Sequence, residues 1–549
     1  CCECSCVDAP DFPCGTIGSF DCRDPACFNP ALVAEFPDCT GDWFKLGDGT
    51  CNPDNNIASC GYDGGDCCLC SCTGGPCHGG DLDCIDPGAH KELYECEATP
   101  TTIEPCPADS EWNWVVDDSA QALALAEAVN CSGGWFEVEW VGNIVVNKTI
   151  YVADGTVLTI TGAAGSNAAL DGNSATRLFT VVDASLHVRG VNISHGASIS
   201  GGAIAAGGGS TLTFNKTNFI GNVAWGNGGA VYVSDGSFVS CADGTTFVDN
   251  EAGTDGGAMF VTDGSAVSCG GWWLGNTAAA RGGAVRLQHG SSASWSEDTM
   301  FAYNTAGGLG GALSLVNFSS VSWDAATGFH YNSAEFIGGG VSASANCSLS
   351  WNAPTVFYFN SAGLYGGAVY VQDYSNASWS GESIVFDGNQ AGSEGGAVMI
   401  SANTHVSCSG ETISTFAGNS APLGGALVVD AGSVASFGGT SLFEGNDALG
   451  DPEANVTGWG EFSNNSALTY GGAMYVIDST ASWIGETGFF NNSAVAFGDA
   501  TAALGGAIAV GNSTVSWDGN TTLSYNRVEQ VDESDPSSGG ALYLFSGSR

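Results

Sequence analysis

Positive charge is what this sequence has least of: 11 Lys and Arg stand against 58 Asp and Glu in 549 residues, a net charge of −47. Such a chain repels polyanions, so nucleic acid is excluded as a partner, and its self-repulsion suits cation-rich surroundings where salt screens it. Long hydrophobic runs are also missing: no stretch of 18 or more apolar residues exists, so no direct membrane span is expected. Proline is scarce at 15 residues, which argues that the 82 glycines are not low-complexity linker but recurring backbone positions. Disorder is excluded in turn, because 44% of the residues are apolar and 10% aromatic, enough for a large core. No Met and no signal segment precede Cys1, and the last repeat stops short, which reads as a processed or partial chain.

Cysteine divides the chain. Eighteen of 23 lie between Cys1 and Cys106, a density expected of an oxidising compartment and hence of a secreted, cell-surface protein. Cys67, Cys68, Cys70 and Cys72 crowd closely enough to raise a zinc site, but CxC steps without His partners read better as disulfides. Twelve N-x-Ser/Thr sequons fit a eukaryotic secretory route and N-linked glycans, among them Asn147, Asn192, Asn215, Asn317, Asn346, Asn376, Asn455, Asn464, Asn491, Asn512 and Asn520. We divide the chain into a Cys-rich region over 1–107, a linker and capping helix over 108–134, and a repeat region over 135–549.

Within the first region, GDGTCNPDNNIASCGYDGGDCC from Gly47 to Cys68 resembles the Notch-type LNR calcium module, at about 39–68, with Asn55 standing where that family has a Cys. The resemblance implies a bound Ca2+ held by Asp63 and Asp66, with Asn56 at the family's ligand Asn and Asn52 and Asp48 as further candidates. The physics agrees, since so small a module has almost no core and needs disulfides and a hard cation for stability. CCECSC at Cys1 to Cys6 returns as CCLCSC at Cys67 to Cys72, so a composite module repeats and a further copy is expected upstream.

From residue 200 a Gly-Gly pair returns twelve times, with first glycines at 201, 228, 256, 282, 310, 338, 366, 395, 424, 471, 505 and 539. Phase-locked to it is aromatic-x-x-Asn, ending at Asn222, Asn250, Asn276, Asn304, Asn332, Asn360, Asn389, Asn419, Asn465 and Asn492. A third position, 13 after the first glycine, holds Phe214, Cys241, Cys269, Trp295, Trp323, Trp351, Trp379, Cys408 and Phe437. Short alternating segments such as AVYV and SASW predict three strands per repeat. The economical fold is all-β: a right-handed parallel β-helix with about 28 residues per coil. Equivalent positions then stack about 4.8 Å apart, making the Asn residues a buried amide ladder and the aromatics core columns. Cys241 and Cys269 either bridge neighbouring coils or act as small buried hydrophobes. The 47-residue step from 424 to 471 contains one more aromatic-x-x-Asn, Phe443 to Asn446, and is either an extra coil or a long loop. The last two repeats lengthen at one corner, where lateral contacts are expected. DDSAQALALAEAV from Asp117 predicts a helix capped by Asp or Ser that covers the first coil's edge.

The paired GGA[IV] and FxxN signatures resemble the repeats of the chlamydial polymorphic outer-membrane proteins, surface adhesins with a β-helical passenger. The combination with the LNR-like module also resembles large surface proteins of algae and other protists, including the material of flagellar hairs. The expected function is an extracellular structural or adhesive scaffold, a subunit of a cell-surface filament or matrix assembling laterally or head to tail with itself or homologous subunits. Neutral glycans and other surface proteins are further expected partners. Two alternatives stand beside it. A β-helix carbohydrate-active enzyme would need clustered acids or cations. Asp183, His187, Arg189 and His195 form the one visible constellation, while Arg177, Arg189, Arg281, Arg286 and Arg527 are the arginines of the solenoid before the terminal Arg549. We expect no catalysis from them, since LHVRGVNISHG reads as strand and turn. The other alternative is a ligand-binding surface ectodomain.

Overall fold

The computed structural model describes residues 111–448, apart from 132, 243, 409–411 and 438–439, and between 457 and 545 the strands with a few positions beside them. The chain divides into two compact units, Cys1–Thr102 and Ile103–Arg549, and the first lies outside the described residues. The candidate calcium ligands Asp48, Asn52, Asn56, Asp63 and Asp66 lie there with it.

The second unit is a parallel β-solenoid, and one coil explains it. After Gly282-Gly283, Val285–Leu287 begins sheet I, Ser292–Trp295 sheet II, Thr299–Ala302 sheet III and Thr305–Ala306 sheet IV. Each strand pairs in parallel with its counterpart one coil away, so the four sheets run the length of the stack with 14, 16, 15 and 13 strands. The register is in step: Trp295 faces Trp323 and Phe301 faces Phe329. Sheet IV corrects the expectation of three strands per repeat. Its strands are two residues long in every coil before the last two, too short for any alternation to show in sequence.

The two glycines of each pair serve different needs. Gly310 has φ +66°, a left-handed conformation that L side chains avoid. Gly311 has ordinary φ, but a Cβ there would overlap the carbonyl oxygen of Gly339 in the next coil. The pair therefore fixes both the turn and the coil-to-coil approach.

Inside, the aromatic of FxxN forms one continuous column from Phe219 to Phe443, with ring centroids 4.1–5.7 Å apart. A second column, Trp295, Trp323, Trp351 and Trp379, stacks at 4.6–5.6 Å and meets the first edge-on. Both arrangements are the favoured ones for ring quadrupoles. The indole N–H groups of Trp295, Trp323 and Trp351 find no acceptor, so these three side chains are held by stacking and burial. One coil pair earlier in the same column, Cys241 and Cys269 are disulfide-bonded, which decides between the two readings left open by their spacing.

The helix Ser119–Ala128 starts on Asp118, whose carboxylate accepts from the Gln121 N–H at 2.8 Å. It buries Ala122, Leu125 and Ala126 and packs on Glu111–Val116, Asn143–Val145 and Ile150–Ala153, the first strands of sheets II, III and I. It thus covers the sheet ends, as the sequence led us to expect. Glu111–Val116 itself falls in the segment read as linker: EWNWVV alternates and pairs in register with Trp135–Trp140, so the sheet begins before the helix.

The 424–471 interval holds an extra, incomplete coil. Thr440–Glu444 pairs onward with Glu461–Ser463 in sheet III, and Asp447–Ala448 with Ser466–Ala467 in sheet IV. In sheet I, by contrast, Leu427–Val429 pairs directly with Met474–Ile477. The missing Gly-Gly pair and the missing sheet I strand are one event, since that pair opens the strand.

Candidate functional site

The ladder asparagines converge on one wall of the solenoid. From Asn222 to Asn446 each Nδ2 donates to the Oδ1 of the next at 2.9–3.0 Å. The second amide hydrogen goes to a carbonyl of the preceding coil, as from Asn332 to Phe301 at 2.9 Å. Each Oδ1 also takes a backbone N–H, as Asn332 Oδ1 does from Asn304. These side chains are fully buried, and Asn492 continues the pattern to Asn526 at 2.8 Å. Buried amides with every donor used are structural groups with no capacity left for a ligand. Asn465 lies outside the described residues.

The residue just before each ladder Asn sets up the outer surface. It is left-handed in coil after coil, with φ +64° at Gly275, +65° at Gly388, +57° at Gly418 and +63° at Gly445. Three consecutive coils instead place Tyr303, Tyr331 and Phe359 there, at φ +57°, +54° and +50°. Bulky side chains in this region cost about 1–3 kcal/mol each. They are 63%, 44% and 44% exposed, so burial does not offset that cost. Their rings stack at 5.2 and 5.5 Å, and Tyr358 closes edge-on against Tyr331 and Phe359. The sequence carried a signal for this row that its reading passed over: FAYN, FHYN and FYFN stand where other repeats have FIGN or FDGN.

The surrounding face of sheet III extends the patch. Its outward columns over four coils read Trp272, Met300, Gly328, Val356 and Leu274, Ala302, His330, Tyr358. Trp272 is 59% exposed. A side chain at Gly328 would collide with Met300 and His330, which fold over it. Partial burial pushes the His330 imidazole below its usual range, so it is neutral at pH 7. No Asp, Glu, Lys or Arg occupies these columns or the Gly275, Tyr303, Tyr331, Phe359 row, although Asp249 and Asp387 bound them in the coils on either side. An uncharged aromatic face in a chain of charge −47 has the chemistry of a contact surface.

The other expected sites are dispersed. Asp183 is exposed in the turn before Ser185–Arg189, which carries His187 and Arg189, while His195 follows Asn192–Ser194 and sits 3.2 Å from Asp171. No hydrogen bond or ion pair joins any two of Asp183, His187, Arg189 and His195. Among the sequons, Asn147, Asn346 and Asn376 are exposed, and Asn192, Asn215 and Asn317 half-buried, with Asn192 Oδ1 accepting from Asn218 at 2.7 Å. Asn455, Asn464, Asn491, Asn512 and Asn520 lie outside the described residues.

Residues 383–401 match the Chlamydia polymorphic membrane protein repeat. No curated protein matches the chain. No solved structure matches it. The matched segment spans Ser383–Asp387, the ladder Asn389 and the Gly395-Gly396 pair, so the two signatures that build one coil here are those of that repeat. A parallel β-solenoid carrying a polymorphic-membrane-protein type repeat fits a surface or adhesin-like protein.

Proposed function

We propose that this protein is a non-catalytic extracellular scaffold that assembles on the cell surface, as a subunit of a filament or matrix, through lateral contacts between copies or homologous subunits. The observation that carries this reading is the charge-free aromatic face of sheet III, paid for in backbone strain at Tyr303, Tyr331 and Phe359. Two bodies of charge −47 repel one another, and the face without charge is where they approach at least cost. The Asn ladder and ring columns make the solenoid a rigid rod that holds the face flat. Calcium at Asp63 and Asp66, with Asn56, Asn52 and Asp48, stabilises the Cys-rich region in this reading, and glycans on exposed sequons such as Asn346 cover surfaces outside the contact.

Sedimentation velocity of the full chain tests the proposal. Association should rise with protein concentration and strengthen between about 0.02 and 0.5 M salt, as the screening length falls from roughly 20 to 4 Å. A calcium chelator should reduce it only by unfolding the Cys-rich region. A monomer at every salt and protein concentration overturns the reading. Neutral polysaccharide or other surface proteins would then be the partners to screen.

A further inference from the structure

The outward column of sheet I is covered along its length. Tyr232, Phe260, Arg286, Ser314, Ser342, Tyr370 and Met399 stand in register over successive coils. Over them folds the turn preceding each glycine pair, whose residues Asp255, Arg281, Leu309, Ile337, Tyr365 and Glu394 bridge one another in parallel. Where the column is bulky, as at Phe260, Tyr370 and Met399, the space beneath the turns is filled and these side chains are buried. At Ser314 and Ser342 two small residues follow each other, and a cavity of about 190 Å³ results, partly open to solvent.

The cavity is the one place among the described residues where two arginines meet. Arg286 lines it and is 3% exposed; Arg281 lines it too and is half exposed. Arg286 Nη1 donates to Ser314 Oγ at 2.7 Å, and Ser342 Oγ donates to Ser314 Oγ at 3.0 Å. Its Nε has no hydrogen-bond partner. Asp255 does not neutralise it well, since Oδ2 is 3.8 Å from that Nε and 4.0 Å from Arg281 Nη1, and Oδ1 has no partner. Burial pushes the Arg286 guanidinium down to about 10 and the Asp255 carboxyl up, both against their mutual attraction. A buried guanidinium so poorly paired is destabilising in itself, and a fold that needed only packing would use the Met or Phe found elsewhere in the column. Leu309, Ile337 and Ala343 supply apolar walls, with Ser342 and Ser344 hydroxyls beside them.

We propose that this cavity is a binding site for a small ring-bearing carboxylate of hexuronate size, with Arg286 taking the carboxylate and the serines the ring hydroxyls. The site lies on sheet I and is independent of the assembly reading. Titration calorimetry of the full chain in about 0.15 M salt, with glucuronate, glucose and acetate as probes, tests it. Glucuronate should bind at least tenfold more tightly than glucose, which lacks the carboxylate, and than acetate, which lacks the ring. Arg286→Met, which repeats the residue at position 399, should lose glucuronate at least tenfold with unchanged or higher Tm. Ser314→Leu, which fills the cavity and leaves the charge, should lose it as well. Absence of glucuronate binding, equal binding of glucose or acetate, or full affinity in both variants overturns the proposal.

Discussion

Coils ending in Asn304, Asn332 and Asn360 and those ending in Asn389, Asn419 and Asn446 share one inner wall, while the second inner column passes from Trp295, Trp323 and Trp351 to Trp379 and Cys408 and the outer face of sheet III changes. Both sets share the amide ladder at 2.9–3.0 Å and the phenyl column. Before the Asn, the later set has Gly388, Gly418 and Gly445, which adopt positive φ without strain. The earlier set has Tyr303, Tyr331 and Phe359 under the same backbone demand. The difference teaches how to separate folding from function in a repeat protein: the residues each coil shares build the rod, and the residues that work against the shared backbone mark what the rod is for.

The comparison is broken most severely from within. Asn332→Ala removes a side chain that makes two donor and two acceptor contacts and leaves buried groups of neighbouring coils unsatisfied, which should cost about 3–5 kcal/mol. Asn419→Ala should cost the same within about 1 kcal/mol, and chemical denaturation of the two variants checks it. Unequal losses would mean that the two sets of coils are not one scaffold.

The next effect sharpens the comparison by moving to a coil pair clipped by a covalent bond. Replacing Cys241 and Cys269 together by Ala opens a 28-residue loop and should lower stability by about 2–3 kcal/mol. No loss in thermal unfolding would show that the hydrogen-bonded sheets already close that loop.

Each set of coils also holds one buried free thiol, Cys347 in the earlier and Cys408 in the later. Burial pushes Cys347 up to about 11 and Cys408 up to about 12. Their folded values lie above the unfolded thiol's, so the stability they contribute is complete below about pH 8.5 and is lost as pH rises through the folded values. For Cys347 the loss is of the order of 2–3 kcal/mol. A thiol reagent at pH 8 should leave both untouched in the native protein and label both on unfolding. Labelling of native Cys347 alone would mean that the aromatic coils open more readily than their neighbours.

The smallest effect on stability is the most informative. Changing Tyr303, Tyr331 and Phe359 together to Gly relieves strain and loses ring stacking, terms of similar size, so stability should shift by less than about 1 kcal/mol. In the opposite direction, Gly418→Tyr should cost about 1–3 kcal/mol, since the same strain is imposed without a stacking row.

Much of this was legible from spacing. The glycine pair, the aromatic and the Asn recur in phase, and a parallel stack is the fold in which a period of about 28 places like on like. The helix at Ser119–Ala128 was legible from its cap and composition. Sheet IV was not, because its short strands carry no alternation, and the extra coil at 440–467 stood as one of two readings, because its aromatic-x-x-Asn is present but its glycine pair is absent. Cys241 and Cys269 left two readings open, since spacing gives proximity and not bonding. The Arg281 and Arg286 cavity was hidden for a different reason. Arg286, Ser314 and Ser342 share one register position, but Arg281 and the apolar walls reach them only because each turn folds back over sheet I. Tyr303, Tyr331 and Phe359 were visible as letters, and it took their φ values to give them meaning.

The most direct test compares the native chain with the Tyr303→Gly, Tyr331→Gly, Phe359→Gly variant by sedimentation velocity at about 0.15 M salt, with thermal unfolding of the same samples. The account predicts that native protein associates with rising concentration while the variant stays monomeric at the same Tm within a few degrees. Association of the variant equal to that of the native chain would contradict the assignment of the sheet III face.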